Sequence, residues 1–564
     1  MKHFEKYTDY FLCHKREIFL LVVVAICLLP NFLIVFRWNQ IFILKVLNIL
    51  FPCGLYLLLV SLVRRCGYGM LVMLPFMFLS AFQIVLINLY SDSVISTDMW
   101  LNVSTTNANE VHELLNSLVK AISIVMVIYV PAIIIGVFAI IKKWTTPYGF
   151  RKRIGILSIC LLASSLIIYA SVSAGIKNDI NKEVFPLNAF LNLKGALKIQ
   201  HEIDNYKELS KEFNAESFSL NPQTLKECHI VVIGETSRAD NWGIFGYARP
   251  TTESLTKISN LTVFPKAFSQ SNTTHKSVPI LLSHIDAKEY GDSIFRIKSV
   301  ISEFKAAGYQ TAFFSNQQRN HSYIDFFGEE ADDCIFLHDG GYASYDGFDK
   351  TILNLVRDEI EKSYRKLLIV VHTYGSHFSY NERYPEQNRK FTPDNYKSAN
   401  KKWRKELINA YDNSIVATSE FLADLIDLLE MSEYSSSLIY TSDHGEDIFD
   451  DGRELFLHAS RIPTYYQLHV PLLIWQSSSF RTLFPDKQFF AERNSDKFVS
   501  SSTSLYHTLV DMANLRTRYF KENLSLSNKA YNPAPLMFIN DCNEAVLLEK
   551  SGISTYDLKK IKYE

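Results

Sequence analysis

The chain has 564 residues, 48% of them hydrophobic and 21% charged, with a formal net charge of −1. That balance excludes the strong positive field by which a chain grips nucleic acid. It would suit a large soluble protein, except that the apolar residues are unevenly distributed and the first third reads as membrane.

Five stretches are long and apolar enough to cross a hydrocarbon core, which takes about 20 helical residues: Ile18 to Phe36, Ile41 to Val63, Met70 to Tyr90, Leu118 to Ile141 and Ile154 to Ala174. Lys2, Lys6, Lys15 and Arg16 precede the first, Arg64 and Arg65 follow the second, and Lys142, Lys143, Arg151, Lys152 and Arg153 separate the fourth from the fifth. With the amino terminus in the cytoplasm every cluster lies inside, as the positive-inside rule expects. An odd number of spans then exports everything after residue 175. A cleaved signal peptide fits poorly, because the second apolar stretch follows the first after a few residues with no small-residue cleavage site between them.

Residues 176–226 are polar and partly helix-patterned: Leu187, Phe190 and Leu191 stand at i, i+3, i+4, and Leu193 and Leu197 add an i, i+4 pair. This predicts a bridging segment at the membrane surface or an ordinary linker helix. From 227 the pattern becomes short apolar runs alternating with amphipathic stretches. Strands are predicted at His229 to Ile233, Thr311 to Phe314, Leu367 to Val371, Ser437 to Tyr440 and Leu472 to Trp475, with helices near 296–307, 349–363, 401–430 and 503–514. Buried strands alternating with helices predict an α/β domain with its sheet covered on both faces, spanning 227–564. No repeat or low-complexity tract is present.

Polar, metal-type residues follow these strands. Glu235 ends the first, in CHIVVIGETSRADNWGIFGYARPTT. His372-Thr-Tyr-Gly-Ser-His377 follows the strand at Leu367, and Thr441-Ser-Asp443-His444-Gly445-Glu446-Asp447 the strand at Ser437. Ligands bind outside the carboxyl ends of such strands, and Glu, Asp and His from separate strand ends supply oxygen and nitrogen ligands that suit zinc. A coordinated hydroxyl loses its proton more easily than a free one. The turn SQSNTTHKSVP offers Thr273, Thr274 and Ser277 for that role, and residue pattern does not choose among them.

At these motifs the chain resembles the membrane phosphoethanolamine transferases that modify lipid A or lipopolysaccharide core, within the alkaline phosphatase and sulfatase superfamily. GETSRADNWGIFGYARPTT is similar to the family's first metal-ligand segment, with Glu235 at the ligand. SNTTHKSVP is similar to the segment whose nucleophilic threonine stands five residues before a proline, here Thr274. TSDHGE is similar to the segment that supplies the last two ligands, here Asp443 and His444. LHASRIPTYYQLHVPLLIW resembles the segment with a substrate-side histidine, His458, and a second at His469, while His377 in GSH matches a histidine near the transferred phosphate. Asn102, Thr106 and Glu110, at spacings that share one helical face, resemble the family's donor-binding helix.

The resemblance implies a five-helix transmembrane domain (1–175), bridging helices (176–226) and a periplasmic sulfatase-like α/β/α catalytic domain (227–564) in a multi-pass protein of the bacterial inner membrane. It implies zinc held by Glu235, Thr274, Asp443 and His444, with Asn102, Thr106, Glu110, His377 and His458 binding substrate. Phosphatidylethanolamine is the implied donor, lipid A or lipopolysaccharide core the acceptor, and the chain is expected to act as a monomer with no nucleic-acid partner. A phosphoglycerol transferase or phosphodiesterase of the same superfamily would share the Asp-His-Gly signal; a sulfatase would need a Cys/Ser-x-Pro-x-Arg motif, which is absent. The chain departs from many members in carrying only Cys228, Cys334 and Cys542 after the spans, enough for one disulfide. It also has Asn316 to His321, in SNQQRNHSY, where lipid A modifying members carry a Ser and a Lys.

Overall fold

The computed structural model describes residues 2–37, 40–90, 94–105, 108–339 and 345–563. The chain divides into two compact units, one of Met1–Ser104 with Leu114–Lys198 and one of Thr105–Glu113 with Ile199–Glu564.

Helices Lys2–Arg37, Phe42–Leu62, Cys66–Tyr90, Ala108–Ile141 and Tyr148–Ser171 coincide with the five predicted spans, the second being one residue shorter than predicted at each end and the fifth stopping at Ser171. All five are long and apolar enough to cross a membrane. Several polar groups among them bond internally, as hydrocarbon favours. Asn48 Oδ1 accepts from the Phe185 N–H at 3.0 Å, and Asn31 Nδ2 donates to the Phe185 carbonyl at 2.8 Å. These bonds hold Phe185, in the turn between the two helices of the bridging segment, Ala174–Glu183 and Leu187–Asp204. Asn192 Nδ2 donates to Ile95 O at 2.8 Å and Trp100 Nε1 to Ala189 O at 3.0 Å, so the second of these helices carries the short helix Thr97–Thr105.

The second unit is built on one seven-stranded sheet: β1 (Glu227–Gly234), β2 (Leu261–Val263), β3 (Gln310–Ser315), β4 (Asp333–Phe336), β5 (Lys366–His372), β6 (Ser435–Ser442) and β7 (Leu472–Gln476), in the order β2-β7-β6-β1-β5-β3-β4. The five strands from β6 to β4 run parallel, while β7 is antiparallel to both β6 and β2. Every residue of β1, β5 and β6 is buried, and the centres of β1 and β5 read as unbroken apolar runs. Val231, Ile233, Leu368, Val370 and Ile439 join a core with Val300 and Phe304 of helix Val300–Ala306 and Leu505 and Leu509 of helix Ser501–Met512. Each such fully buried aliphatic side chain contributes roughly 1.5–3 kcal/mol. The alternate residues face the other side, where helices Ile352–Glu361 and Arg404–Glu430 pack. β1 is central, with β6 and β5 on either side, so the carboxyl ends of three strands meet at one edge.

Candidate metal and nucleophile site

Gly234 of β1 and Ser442 of β6 are register partners, so Glu235 and Asp443 leave the sheet side by side. Thr236 turns the chain in a left-handed conformation, φ 59°. Its N–H donates to Asp443 Oδ1 at 3.0 Å and the His444 N–H donates to the same oxygen at 2.7 Å, which fixes that carboxylate. Gly445 lets the next segment pass closely: a Cβ there would lie 2.3 Å from the Tyr466 carbonyl oxygen.

Thr274 opens helix Thr274–Leu281. Its Oγ1 is 3.1 Å from Glu235 Oε1 and 3.2 Å from His444 Nε2. His444 Nδ1 is 3.0 Å from the Gly445 carbonyl, which can only accept, so the neutral ring keeps its lone pair on Nε2. That lone pair lies 3.2 Å from Asp443 Oδ2 and 3.7 Å from Glu235 Oε1. Among the described residues Asp443 Oδ2 is itself buried without a hydrogen-bond partner. Ligand atoms of Glu235, Asp443 and His444 all lie within 4.8 Å of one another, and all three residues are buried.

Burial pushes His444 well below its ordinary pKa, and His458 adds to the effect. Burial likewise pushes Asp443 up, against the N–H donors of Thr236 and His444. Both shifts express the cost of charge in a dry site, and a divalent cation reverses that logic. Two carboxylates, an imidazole nitrogen and a hydroxyl, with one buried oxygen left unpartnered, form a donor set that fits zinc.

Two further histidines border this cluster. The His458 ring centroid is 4.2 Å from that of His444 and 6.4 Å from that of His377. His377 Nδ1 is 2.7 Å from the Phe378 carbonyl, which leaves its Nε2 lone pair available. Burial pushes His377 down to about 3, with Arg383 and His458 adding, and pushes His458 down to about 4. Both rings are therefore neutral at physiological pH.

The structure also separates the basic residues near the motifs from this chemistry. Arg238 is buried against Asp450 at 2.7 Å, Lys276 is buried and donates to Asn540 O at 2.7 Å, and Arg461 lies 3.9 Å from Asp541. His469 is occupied on both nitrogens, by Asp240 Oδ2 and Pro265 O at 2.8 Å each. Among the described residues no disulfide forms: Cys228 is buried, and Cys334 and Cys542 are partly buried.

Sequence reasoning passed over two neighbours. Glu446 is fully buried, accepts from the Tyr380 hydroxyl and stands 3.6 Å from His458 Nδ1; its signal was its place in TSDHGE. Gln317 Nε2 donates to Thr373 O at 3.0 Å and reaches Glu235 Oε2 at 3.4 Å. In the first unit, Asn102 is partly buried on helix Thr97–Thr105. Glu110 falls in the next helix, Ala108–Ile141, and Thr106 lies outside the described residues.

A mostly parallel sheet carries at its carboxyl edge a cluster of buried Glu235, Asp443 and His444 with the partly buried Thr274, a set of groups that could hold a metal ion within an α/β domain. The sulfatase family model matches residues 229–515, half of the chain, which therefore belongs to the sulfatase family. The chain is 29% identical over 310 residues to phosphoethanolamine transferase EptA of Escherichia coli K12, an alignment covering 52% of this chain and 55% of that protein. The chain thus spans about half the length of that relative. The integral membrane lipooligosaccharide phosphoethanolamine transferase A of Neisseria meningitidis superposes with a TM-score of 0.68 at 20% identity, covering 90% of this chain and 97% of that one. The periplasmic domain of Escherichia coli EptC, solved as a complex with zinc, superposes with a TM-score of 0.53 at 24% identity, covering 60% and 96%. These likenesses show the fold.

Proposed function

We propose that the chain is an enzyme of the bacterial inner membrane, its catalytic domain in the periplasm, that transfers phosphoethanolamine from phosphatidylethanolamine to lipid A or lipopolysaccharide core. The observation that carries this reading is Thr274 Oγ1, 3.1 Å from Glu235 Oε1 and 3.2 Å from His444 Nε2, at the start of a helix. Relatives named as phosphoethanolamine transferases supply the group transferred.

Zinc held by Glu235, Asp443, His444 and Thr274 supplies a Lewis acid that polarises phosphoryl oxygens and eases loss of the threonine proton. Thr274 Oγ1 attacks the phosphorus of the donor; the bond from phosphorus to the diacylglycerol oxygen breaks, and that oxygen takes up a proton equivalent to the one Thr274 gives up. The threonine then carries a phosphoethanolamine ester. In the second half, an acceptor oxygen attacks the same phosphorus and Thr274 leaves with a proton, which gives ping-pong kinetics. The N-terminal end of helix Thr274–Leu281 favours the negative phosphoryl group. His377 offers its Nε2 lone pair to the proton of an incoming hydroxyl, and His458, beside His444, borders the same space. Asn102, Thr106 and Glu110 hold the donor headgroup, residues 1–175 keep the enzyme in the bilayer where donor and acceptor reside, 176–226 bridge, 227–564 carry the chemistry, and the chain works as a monomer.

Mass spectrometry of lipid A and of core oligosaccharide, from a Gram-negative host expressing the chain or its Thr274→Ala variant, tests the proposal. A phosphoethanolamine increment on one fraction, lost in the variant, is expected, and the modified fraction names the acceptor. No increment from folded, zinc-loaded protein would overturn it in favour of phosphoglycerol transfer or hydrolysis.

A further inference from the structure

Asp349 lies outside every motif that points to the site, at the start of a short helical turn leading into helix Ile352–Glu361. Its two carboxylate oxygens are nevertheless spent on the turn that follows β5. Oδ1 accepts from the Tyr374 N–H at 2.7 Å and from Asn316 Nδ2 at 2.8 Å, and Oδ2 accepts from the Gly375 N–H at 2.9 Å. Asn316 is in turn tied to the end of β5, its N–H donating to the His372 carbonyl at 2.9 Å.

The turn held in this way is pressed against a metal ligand. Gly375 adopts φ 52°, and a Cβ on it would lie 2.7 Å from the Glu235 carbonyl oxygen and 2.8 Å from its nitrogen. The next residue, Ser376, donates its N–H to that carbonyl at 2.9 Å. His377 follows, with Nδ1 engaged by the Phe378 carbonyl and Nε2 left over. One side chain therefore sets the backbone that braces Glu235 from behind and launches His377 toward the cluster.

We propose that Asp349 is a positioning residue: by clamping Tyr374 and Gly375 it fixes the backbone of Glu235 and the direction of His377. A charge-assisted bond to backbone N–H groups is stronger than a neutral one, and outer-shell partners of metal ligands are worth 10–100-fold in affinity or activity. The clamp rests on the reading of Glu235 as a zinc ligand and of His377 as a participant in transfer, so its test separates the two.

The full-length protein in detergent is made as Asp349→Ala and Asp349→Asn, each also combined with His377→Ala, with folding checked by thermal melting. Zinc affinity is measured by competition with a chromogenic chelator, and formation of the phosphoethanolamine adduct on Thr274 is followed by intact-protein mass spectrometry after mixing with phosphatidylethanolamine. Asp349→Ala should weaken zinc and slow the adduct by about 10-fold or more, while Asp349→Asn, which keeps one acceptor, recovers part of both. In the His377→Ala background the part of the rate loss that passes through His377 should disappear, whereas zinc affinity still falls. Folded Asp349→Ala that matches the parent in zinc affinity and adduct rate overturns the proposal, as does a rate loss that is fully additive with His377→Ala. If no protein, the parent included, forms an adduct but the zinc shift appears, the clamp stands and the transfer reading falls.

Discussion

Gly375→Ala isolates how tightly the site depends on backbone placement. Two costs are readable in the structure. The first is conformational: φ 52° is the left-handed region, which costs a residue with a Cβ roughly 1–2 kcal/mol. The second is steric. A Cβ would sit 2.7 Å from the Glu235 carbonyl oxygen, whereas ordinary contacts begin near 3.5 Å, so the Glu235 backbone must retreat by on the order of 0.8 Å. A misplacement of about 1 Å near reacting groups costs about 100-fold in rate, and the expected loss is roughly 30–100-fold in transfer, with weaker zinc binding. Gly308 supplies the control, since it has φ 88° with nothing within 4 Å of its Cβ position. Gly308→Ala carries the conformational cost alone and should lose stability with little change in turnover per folded molecule. Melting temperature, zinc competition and transfer rate, measured together on both variants, check the reasoning. Equal turnover in folded Gly375→Ala and Gly308→Ala would refute it, because the contact with Glu235 would then have no consequence.

Three further outcomes are expected. Glu303 is fully buried, accepts from the Tyr506 hydroxyl at 2.6 Å, and is raised by burial from 4.5 to about 7. The folded state holds its proton more tightly than the unfolded state, so stability falls as pH rises from about 4.5 to 7, by up to about 3 kcal/mol at 1.36 kcal/mol per unit; Glu303→Gln should flatten that slope in melts taken across this window, and an unchanged slope would assign it elsewhere. Zinc at about 100-fold above its dissociation constant should stabilise the protein by about 2.7 kcal/mol; chelation should reverse the shift and Asp443→Asn should abolish it in the same melts, whereas a full shift in the variant would remove Asp443 from the ligand set. Arg238→Ala leaves Asp450, 6% exposed, without the guanidinium now 2.7 Å away, and breaking such a buried pair costs about 3–5 kcal/mol; unchanged stability in the variant would refute this structural role.

The main strands and the cluster were legible because each depends on local pattern. The apolar run His229 to Ile233 had to be a buried strand, and the structure extends it only to Glu227–Gly234. Glu235, Asp443 and His444 stood out because they interrupt apolar runs at strand ends. β2 and β4 were missed: with three and four residues they carry too little period to read, and they exist because β7 and β3 give them a partner. Asp349 and Gln317 were missed for a related reason. A carboxylate at 349 acquires its meaning only when the end of β5 is brought beside it, and no spacing along the chain expresses that contact.

The two edges of the sheet treat buried carboxylates differently, and the difference locates the chemistry. At the amino end of β1, Glu227 is 1% exposed and fully compensated: Lys366 Nζ lies 3.2 Å away, Asn221 Nδ2 donates at 2.6 Å and the Tyr309 hydroxyl at 2.7 Å. Burial raises its pKa, but His229, 3.7 Å away, followed by Tyr309 and Lys366, outweighs that and holds it below the ordinary carboxylate value. At the carboxyl end of β6, Asp443 is equally buried, yet one oxygen has no hydrogen-bond partner and its pKa is raised. A buried unpaired charge is costly, and a chain that satisfies Glu227 so completely shows that the fold has the means to supply a lysine where one is needed. Neutralising Asp443 with a fixed ammonium would stabilise the sheet edge but would fill the space between Glu235, Thr274 and His444. Leaving Asp443 without such a partner keeps that space open for the divalent cation that the proposed zinc site requires.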